Sequence, residues 1–333
     1  MRERVARWRE VGTGLSLCLC LAGSAARPGF AQAAAGSAPA REIAITFDDL
    51  PAVSVARGDI ASLGAFTDRL LANFTAHSVP VVGFVNEGKL TVRGEGLEGQ
   101  AARIELLSRW LNAGFDLGNH TYSHRSLNDL AIEEFEADVV RGEPVTAALL
   151  GARGRSLRYF RHPFLQVGLS LDKRHAFEAW LKARGYIVAP VTVDNDDYIF
   201  AAVYAFALKT GDAGLASRTA GAYLKYMDSV FDFQEGLSQS LFGRPIRGVL
   251  LLHANELNAD HVGTLFDRLR QRGYHFVPLS KALEDPAYSS ADRYVGRWGI
   301  SWMHHWEQAM GRPRTGAPDP PAWVSEAYEK GRR

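Results

Sequence analysis

The chain has 333 residues, 47% hydrophobic and 23% charged, with 38 Lys+Arg against 37 Asp+Glu for a formal net charge of +1. Such ordinary globular usage excludes a disordered chain, a collagen-like repeat and a multi-span membrane protein. The missing basic excess argues against nucleic acid as a partner, and the length suits one large α/β domain or two smaller ones.

Residues 1–33 read as a secretory signal peptide. Arg2, Arg4, Arg7 and Arg9 form a basic start, diluted by Glu3 and Glu10. The uncharged run Val11–Ala26 is too short for an ordinary transmembrane helix, and Ala31-Gln32-Ala33 fits a small-residue cleavage site. An uncleaved amino-terminal anchor is the alternative reading. Cleavage would remove Arg27 with the four leader arginines, and both acids, leaving 33 basic against 35 acidic residues, a balance of −2. Cys18 and Cys20 would leave too. A thiol-free mature chain suits an oxidising compartment and leaves only His, Asp and Glu to hold a metal. The expectation is an exported protein, periplasmic or extracellular, with no stable membrane insertion after cleavage.

Residues 34–41 form a linker of mostly small residues, after which strand-like and helix-like segments alternate. Ile43–Phe47 is a β-branched, apolar strand; Leu63, Phe66, Leu70, Leu71 and Phe74 recur at helical spacing. Val79–Val85 is a second strand, Ala101–Leu111 a helix and Phe115–Leu117 a third strand. Ser126-Leu-Asn-Asp129 resembles a capping box opening a helix to about Leu150, broken at Pro144. Leu157–Phe160 is the fourth strand; Ser170 caps a helix through Lys182; Tyr186–Val193 is the fifth strand. A long helical stretch fills Phe200–Phe231, followed by strand Val249–His253, helix Asp260–Arg272 and strand His275–Val277. Strict alternation predicts parallel strands with right-handed crossovers. Seven strands without a glycine-rich phosphate fingerprint favour a barrel over an open sheet.

Polar clusters fall at strand ends: Asp48 and Asp49 after the first, Gly118–His124 after the third, Arg161–Phe164 after the fourth and His253 after the sixth. A parallel barrel gathers these ends on one face, where active sites of this architecture lie. Each cluster also has a plainer reading. The His120/His124 spacing recurs by chance, paired acids commonly occupy solvated turns, and a lone histidine at a strand end is commonly a core residue. His304 and His305, adjacent and without metal spacing, read as structural or exposed. Acids closing a buried strand, however, are costly unless paired or metal-bound. Asp49, His120 and His124 can supply a carboxylate and two imidazoles from one helical turn and a neighbouring strand. Asp48, expected to point the opposite way from Asp49, is then free to act as base, and His253 as acid.

In this order the segments Thr46–Asp49, His120–His124, Arg161–Phe164, Asp194–Tyr198 and Leu251–His253 resemble the polysaccharide deacetylase family (carbohydrate esterase family 4, the NodB-like homology domain). The likeness spans about Glu42 to Ala282. It implies a distorted (β/α)7 barrel over residues 42–285, with a helical insertion between the fifth and sixth strands and an aromatic extension at 286–333. It further implies that Asp49, His120 and His124 bind one divalent ion, usually zinc, with cobalt or nickel as alternatives. Asp48 would be the general base, oriented by Arg161, and His253 the general acid, paired with Asp197. Backbone N–H near Phe164 would help hold the oxyanion, and Tyr198 would stand as an aromatic wall. The implied reaction is hydrolysis of N-acetyl groups on an N-acetylglucosamine polysaccharide resembling chitin, peptidoglycan or poly-N-acetylglucosamine. O-acetyl ester hydrolysis on xylan or another sugar is an alternative, and a catalytically silent glycan-binding protein a further one.

Two positions depart from the family pattern. His162 stands where a proline is usual, which would reshape the groove wall or add a polar contact to substrate, and Tyr198 replaces the commoner tryptophan. Outside the motifs, the insertion at 199–248 reads as a helical pair packed on the barrel, with a lid as the other reading. Trp298, Trp302 and Trp306 recur on one helical face and, with Trp323, read as packing more readily than sugar stacking. Residues after about Gly311 are Pro-rich and read as loose.

Overall fold

The computed structural model describes residues 41–331. The expected leader and its cleavage site, and the linker up to residue 40, lie outside the described residues. Chain order is β1 (Arg41–Leu50), α1 (Ile60–Ala76), β2 (Val81–Val85), α2 (Gly96–Asn112), β3 (Asp116–Asn119), α3 (Ile132–Arg141), α4 (Pro144–Gly151) and β4 (Tyr159–Phe160). There follow α5 (Leu171–Ala183), β5 (Ile187–Val188), α6 (Asp197–Thr210), α7 (Ala213–Phe242), β6 (Gly248–His253), α8 (Glu256–Gln271), β7 (Tyr274–Phe276), α9 (Leu279–Ala282), α10 (Trp302–Ala309) and α11 (Ala322–Gly331).

Every strand pair is parallel, and the sheet runs β5-β4-β3-β2-β1-β6. Beyond β5 the chain returns to the other edge: Val193 pairs with Leu250 of β6, giving and accepting backbone hydrogen bonds of 3.0 and 3.2 Å. The sheet is thereby curled into the expected α/β architecture, a distorted (β/α)7 barrel. The seventh strand is not a full stave. Ile43 pairs with Gly248 of β6 and with Phe276 of β7, so these lie on opposite edges of β1. β7 fills the stretch of edge below Ile45, where pairing with β2 begins.

Strands covered on both faces read as continuous apolar runs, and Ile43 to Leu50 is buried throughout. Around β1, Phe47, Phe74 and Trp110 meet at ring separations of 4.9 to 6.2 Å, the offset and edge-on contacts that aromatic quadrupoles favour.

The local signals held unevenly. Ser170 caps α5 as expected, its side chain accepting from Lys173 N–H, and Pro144 opens α4 after a break. The expected capping box at Ser126 is instead a turn. Its hydroxyl accepts from Asn128 N–H and bonds the Gln166 side chain, and the helix begins only at Ile132, where Glu134 accepts from Ala131 N–H. The insertion is a helical pair, α6 and α7, whose Phe200, Tyr223, Met227 and Phe231 join the main core, so it packs as a wall.

The carboxy-terminal region is more ordered than its composition implies. Trp302 and Trp306 are buried with Leu165, Val191 and Leu251. Trp298 lies before α10 and is 66% exposed, so the expected single helical face of three tryptophans does not form. The segment expected to be loose after Gly311 carries α11, whose Val324 is fully buried in the main core. His305 is buried and its Nδ1 bonds Asp292, while His304 bonds the Thr315 carbonyl, so both are structural. No helix among the described residues is long and apolar enough to cross a membrane.

Candidate active site

The carboxyl ends of β1, β3, β4 and β6 converge as the alternation predicts. On β1, the pairing register slips between Phe47 and Leu50, and Asp49 adopts a left-handed backbone (φ 70°). Such a bulge breaks the two-residue alternation of side chains. Asp48 and Asp49 therefore face the same site, correcting the expectation that they point oppositely. Asp48 Oδ2 lies 3.7 Å from His120 Nε2, and Asp49 Oδ1 lies 3.7 Å from His124 Nε2.

The two histidines sit on a tight loop, not on a helical turn. Thr121 and His124 are both left-handed (φ 65° and 55°). Local bonds hold this shape: Asn119 Oδ1 accepts from Thr121 N–H at 2.7 Å, and Thr121 Oγ1 accepts from His124 N–H at 3.0 Å. Just after β2, Asn86 donates to the His120 carbonyl at 2.5 Å.

Ligand-type atoms of Asp49, His120 and His124 all lie within 4.8 Å of one another. Their protonation suits a cation. Burial holds the His120 and His124 imidazoles below their ordinary pKa, hence neutral. Asp49 is buried, but Lys89 above all, with the protonated His253, keeps its carboxyl ionised. His120 Nδ1 is 2.9 Å from the Arg161 carbonyl, which accepts a hydrogen bond from Nδ1–H and so leaves Nε2 free to coordinate. The donor set thus fits a small divalent ion of intermediate softness.

Asp48 is 2% exposed, and its Oδ1 has no hydrogen-bond partner among the described residues. Burial raises its pKa to about 6 against the pull of Arg161. The Arg161 guanidinium, fully buried, donates to Thr46 Oγ1 at 2.8 Å and lies 3.8 Å from Asp48 Oδ2. It thus neighbours Asp48 electrostatically without a direct hydrogen bond.

Across the β1–β6 pair, Asp48 and His253 are register partners. His253 Nδ1 is 2.6 Å from Asp197 Oδ1, and Asp197 Oδ2 accepts from His253 N–H at 2.9 Å. Burial alone would lower the imidazole, but the Asp197 carboxylate, with Asp49 and Asp48 beyond it, lifts it to about 9. Asn258 donates to Asp197 Oδ2 at 2.7 Å.

Beside His124, the Phe164 ring stands edge-on at 4.4 Å between centroids. Phe164 and Leu165 are consecutive left-handed residues (φ 56° and 55°). For residues with a side chain that conformation costs about 1–2 kcal/mol each, so other contacts must hold the turn. Tyr198, 40% exposed, stands edge-on to His253 at 6.2 Å and to Tyr328 of α11 at 6.0 Å, an aromatic rim to the site. His162 neither lines the groove nor reaches outward. It is 2% exposed, its ring edge-on to Phe160 and Phe177, and burial pushes it down to about 3.

Sequence reasoning missed four contributors. Lys89 lies 2.8 Å from Asp49 Oδ1, and no sequence signal marks it. Asn86 belongs to no periodic pattern either. Asn255 and Asn258 follow the sixth strand at cap spacing, and Asn255 caps α8 while Asn258 grips Asp197; a search for helix caps would have found the first.

Residues 35–175 match the family model described as polysaccharide deacetylase. A peptidoglycan-N-acetylglucosamine deacetylase of Bacillus cereus is 24% identical over 169 residues, 51% of this chain and 50% of the relative, so the chain spans about half the length of that curated relative. Among solved structures, the peptidoglycan deacetylase PdaC from Bacillus subtilis is 19% identical, with 74% of this chain and 91% of that one covered at a TM-score of 0.44. A family 4 carbohydrate esterase from Streptomyces lividans in complex with acetate is 18% identical, with 70% and 90% covered at 0.42. At this level of likeness the fold rests on the chain's own strand pairing.

Proposed function

From the match of residues 35–175 to the polysaccharide deacetylase family model and the geometry of the site, we infer a metal-dependent hydrolase that removes N-acetyl groups from an N-acetylglucosamine-containing polysaccharide, acting outside the cytoplasm. One observation carries this reading. An Asp-His-His cluster with ionised and neutral ligands shares one strand-end face with a buried carboxyl of raised pKa and a histidine held protonated.

Asp49, His120 and His124 would hold the ion, zinc by donor type, with cobalt or nickel as alternatives. When bound, such an ion acidifies water and polarises an acyl oxygen. The remaining chemistry belongs to the protein. Asp48, with a pKa raised to about 6, takes a proton from the attacking water as general base. Arg161 lies near enough to stabilise the ionised carboxylate before that transfer. Backbone N–H of the Phe164 turn is the donor for the developing oxyanion. His253, carrying its proton up to about pH 9, gives it to the departing amine while Asp197 holds the ring. Tyr198, exposed at the rim, would offer an aromatic surface to a sugar ring.

The test is acetate release from N-acetylglucosamine oligosaccharides by the purified protein with zinc, with amine release followed alongside to separate N- from O-deacetylation. Asp49→Ala and His124→Ala should each lower zinc affinity and turnover by about 100-fold or more. Undiminished acetate release by either variant would sink the metal assignment.

A further inference from the structure

The strained Phe164–Leu165 turn is held by a part of the chain beyond the family match. A Cβ added to Gly299 would sit 1.7 Å from the Phe164 carbonyl oxygen and 2.8 Å from the carbonyl carbons of Phe164 and Leu165. Gly299 has no left-handed backbone, so glycine answers there to space alone. The segment bearing it is fastened along its length. Gln166 Nε2 donates to the Arg297 carbonyl at 2.7 Å, and Asn128 Nδ2 donates to those of Gly296 and Arg297 at 3.0 and 3.2 Å. Upstream, Arg174 grips Asp292 through two hydrogen bonds of 2.8 and 2.7 Å; downstream, Trp302 N–H donates to Val191 at 2.7 Å.

We propose that Gly299 is a positioning residue for the reaction: its bare α-carbon seats the Phe164 carbonyl and thereby keeps Phe164 left-handed, which holds the Phe164 N–H toward the acyl oxygen, while the Leu165 N–H is taken up by the His162 carbonyl. This rests on the hydrolase reading above. A side chain at 299 would push the Phe164 carbonyl away. Phe164 would leave its left-handed conformation, swinging the N–H off the oxyanion and the ring off His124. The carboxy-terminal extension is in this sense a structural part of the catalytic site.

The experiment compares the full chain with Gly299→Ala, Asn128→Ala and Gly316→Ala, the last adding a Cβ where nothing lies within 4 Å. For each, kcat, KM, zinc affinity by titration and amide exchange over residues 160–170 are measured. Gly299→Ala should lower kcat by about 10- to 100-fold and speed exchange in that peptide. KM and zinc affinity should stay within about threefold, since neither depends on the turn's N–H. Asn128→Ala should give the same signature more weakly, and it decides alone if Gly299→Ala does not fold. Gly316→Ala should match the wild type. Wild-type kcat in both test variants, or kcat losses matched by losses of zinc affinity, would overturn the proposal. If the wild type releases no acetate, the hydrolase reading fails by itself. The exchange comparison then still reports on the turn, and unchanged exchange refutes its support by Gly299.

Discussion

Asp48 and Asp49 are chain neighbours with opposite electrostatic fates. Burial raises Asp48 to about 6 against the pull of Arg161, while Lys89 and the protonated His253 keep Asp49 ionised. His253 differs again, because its state depends on one carboxylate. With its pKa lifted from 6.5 to about 9, the His253–Asp197 pair stabilises the fold fully below the unfolded value, and this stabilisation is lost as pH rises through 9. The acid form persists over the same range, so turnover should hold to about pH 9 and fall above it. In Asp197→Asn, burial is opposed mainly by the more distant Asp49 and Asp48, and the alkaline limb should move down by at least one pH unit. Turnover at pH 8 should drop by about twofold or more as the protonated fraction of His253 falls, as read from pH profiles of kcat. An unmoved limb would remove His253 as the acid.

At the scale of elements, chemistry-bearing positions were legible before their conformations were. Side-chain type and strand-end placement marked Asp48, Asp49, His120, His124, Arg161 and His253. The i, i+4 histidine spacing suggested a helix, yet left-handed Thr121 and His124 make a loop. Sequence spacing constrains which atoms can meet, not the backbone path joining them. The Ser126 box failed for a related reason: its hydroxyl found Asn128 and Gln166 as partners before any helix began. In the tail, hydrophobic spacing predicted packing correctly for Trp302 and Trp306 and wrongly for Trp298. Trp306→Ala should cost about 3–5 kcal/mol in unfolding experiments, whereas Trp298→Ala should stay within about 0.5 kcal/mol. A Trp298→Ala variant with stability intact but weakened glycan binding would give that exposed ring the sugar-stacking role.

For the whole molecule, strand alternation revealed the parallel curled sheet, because crossover handedness and strand order follow from local pattern. It did not reveal that β7 lies along β1 instead of closing the ring, since three short strand residues carry no record of which edge is vacant. That placement has a consequence for how the molecule opens. β1 has β6 along one edge, and β7 then β2 along the other, so its backbone is sheltered nearly end to end. Its amides from Ile43 to Phe47 should exchange with solvent among the slowest in the protein, at rates set by global unfolding. Helix termini and exposed turns should open far sooner, and native-state exchange resolved by residue would distinguish the two. The two acids at the top of β1 would then ride on the last part of the chain to come apart, and fluctuations at the rim could admit and release a bulky polymer without loosening them.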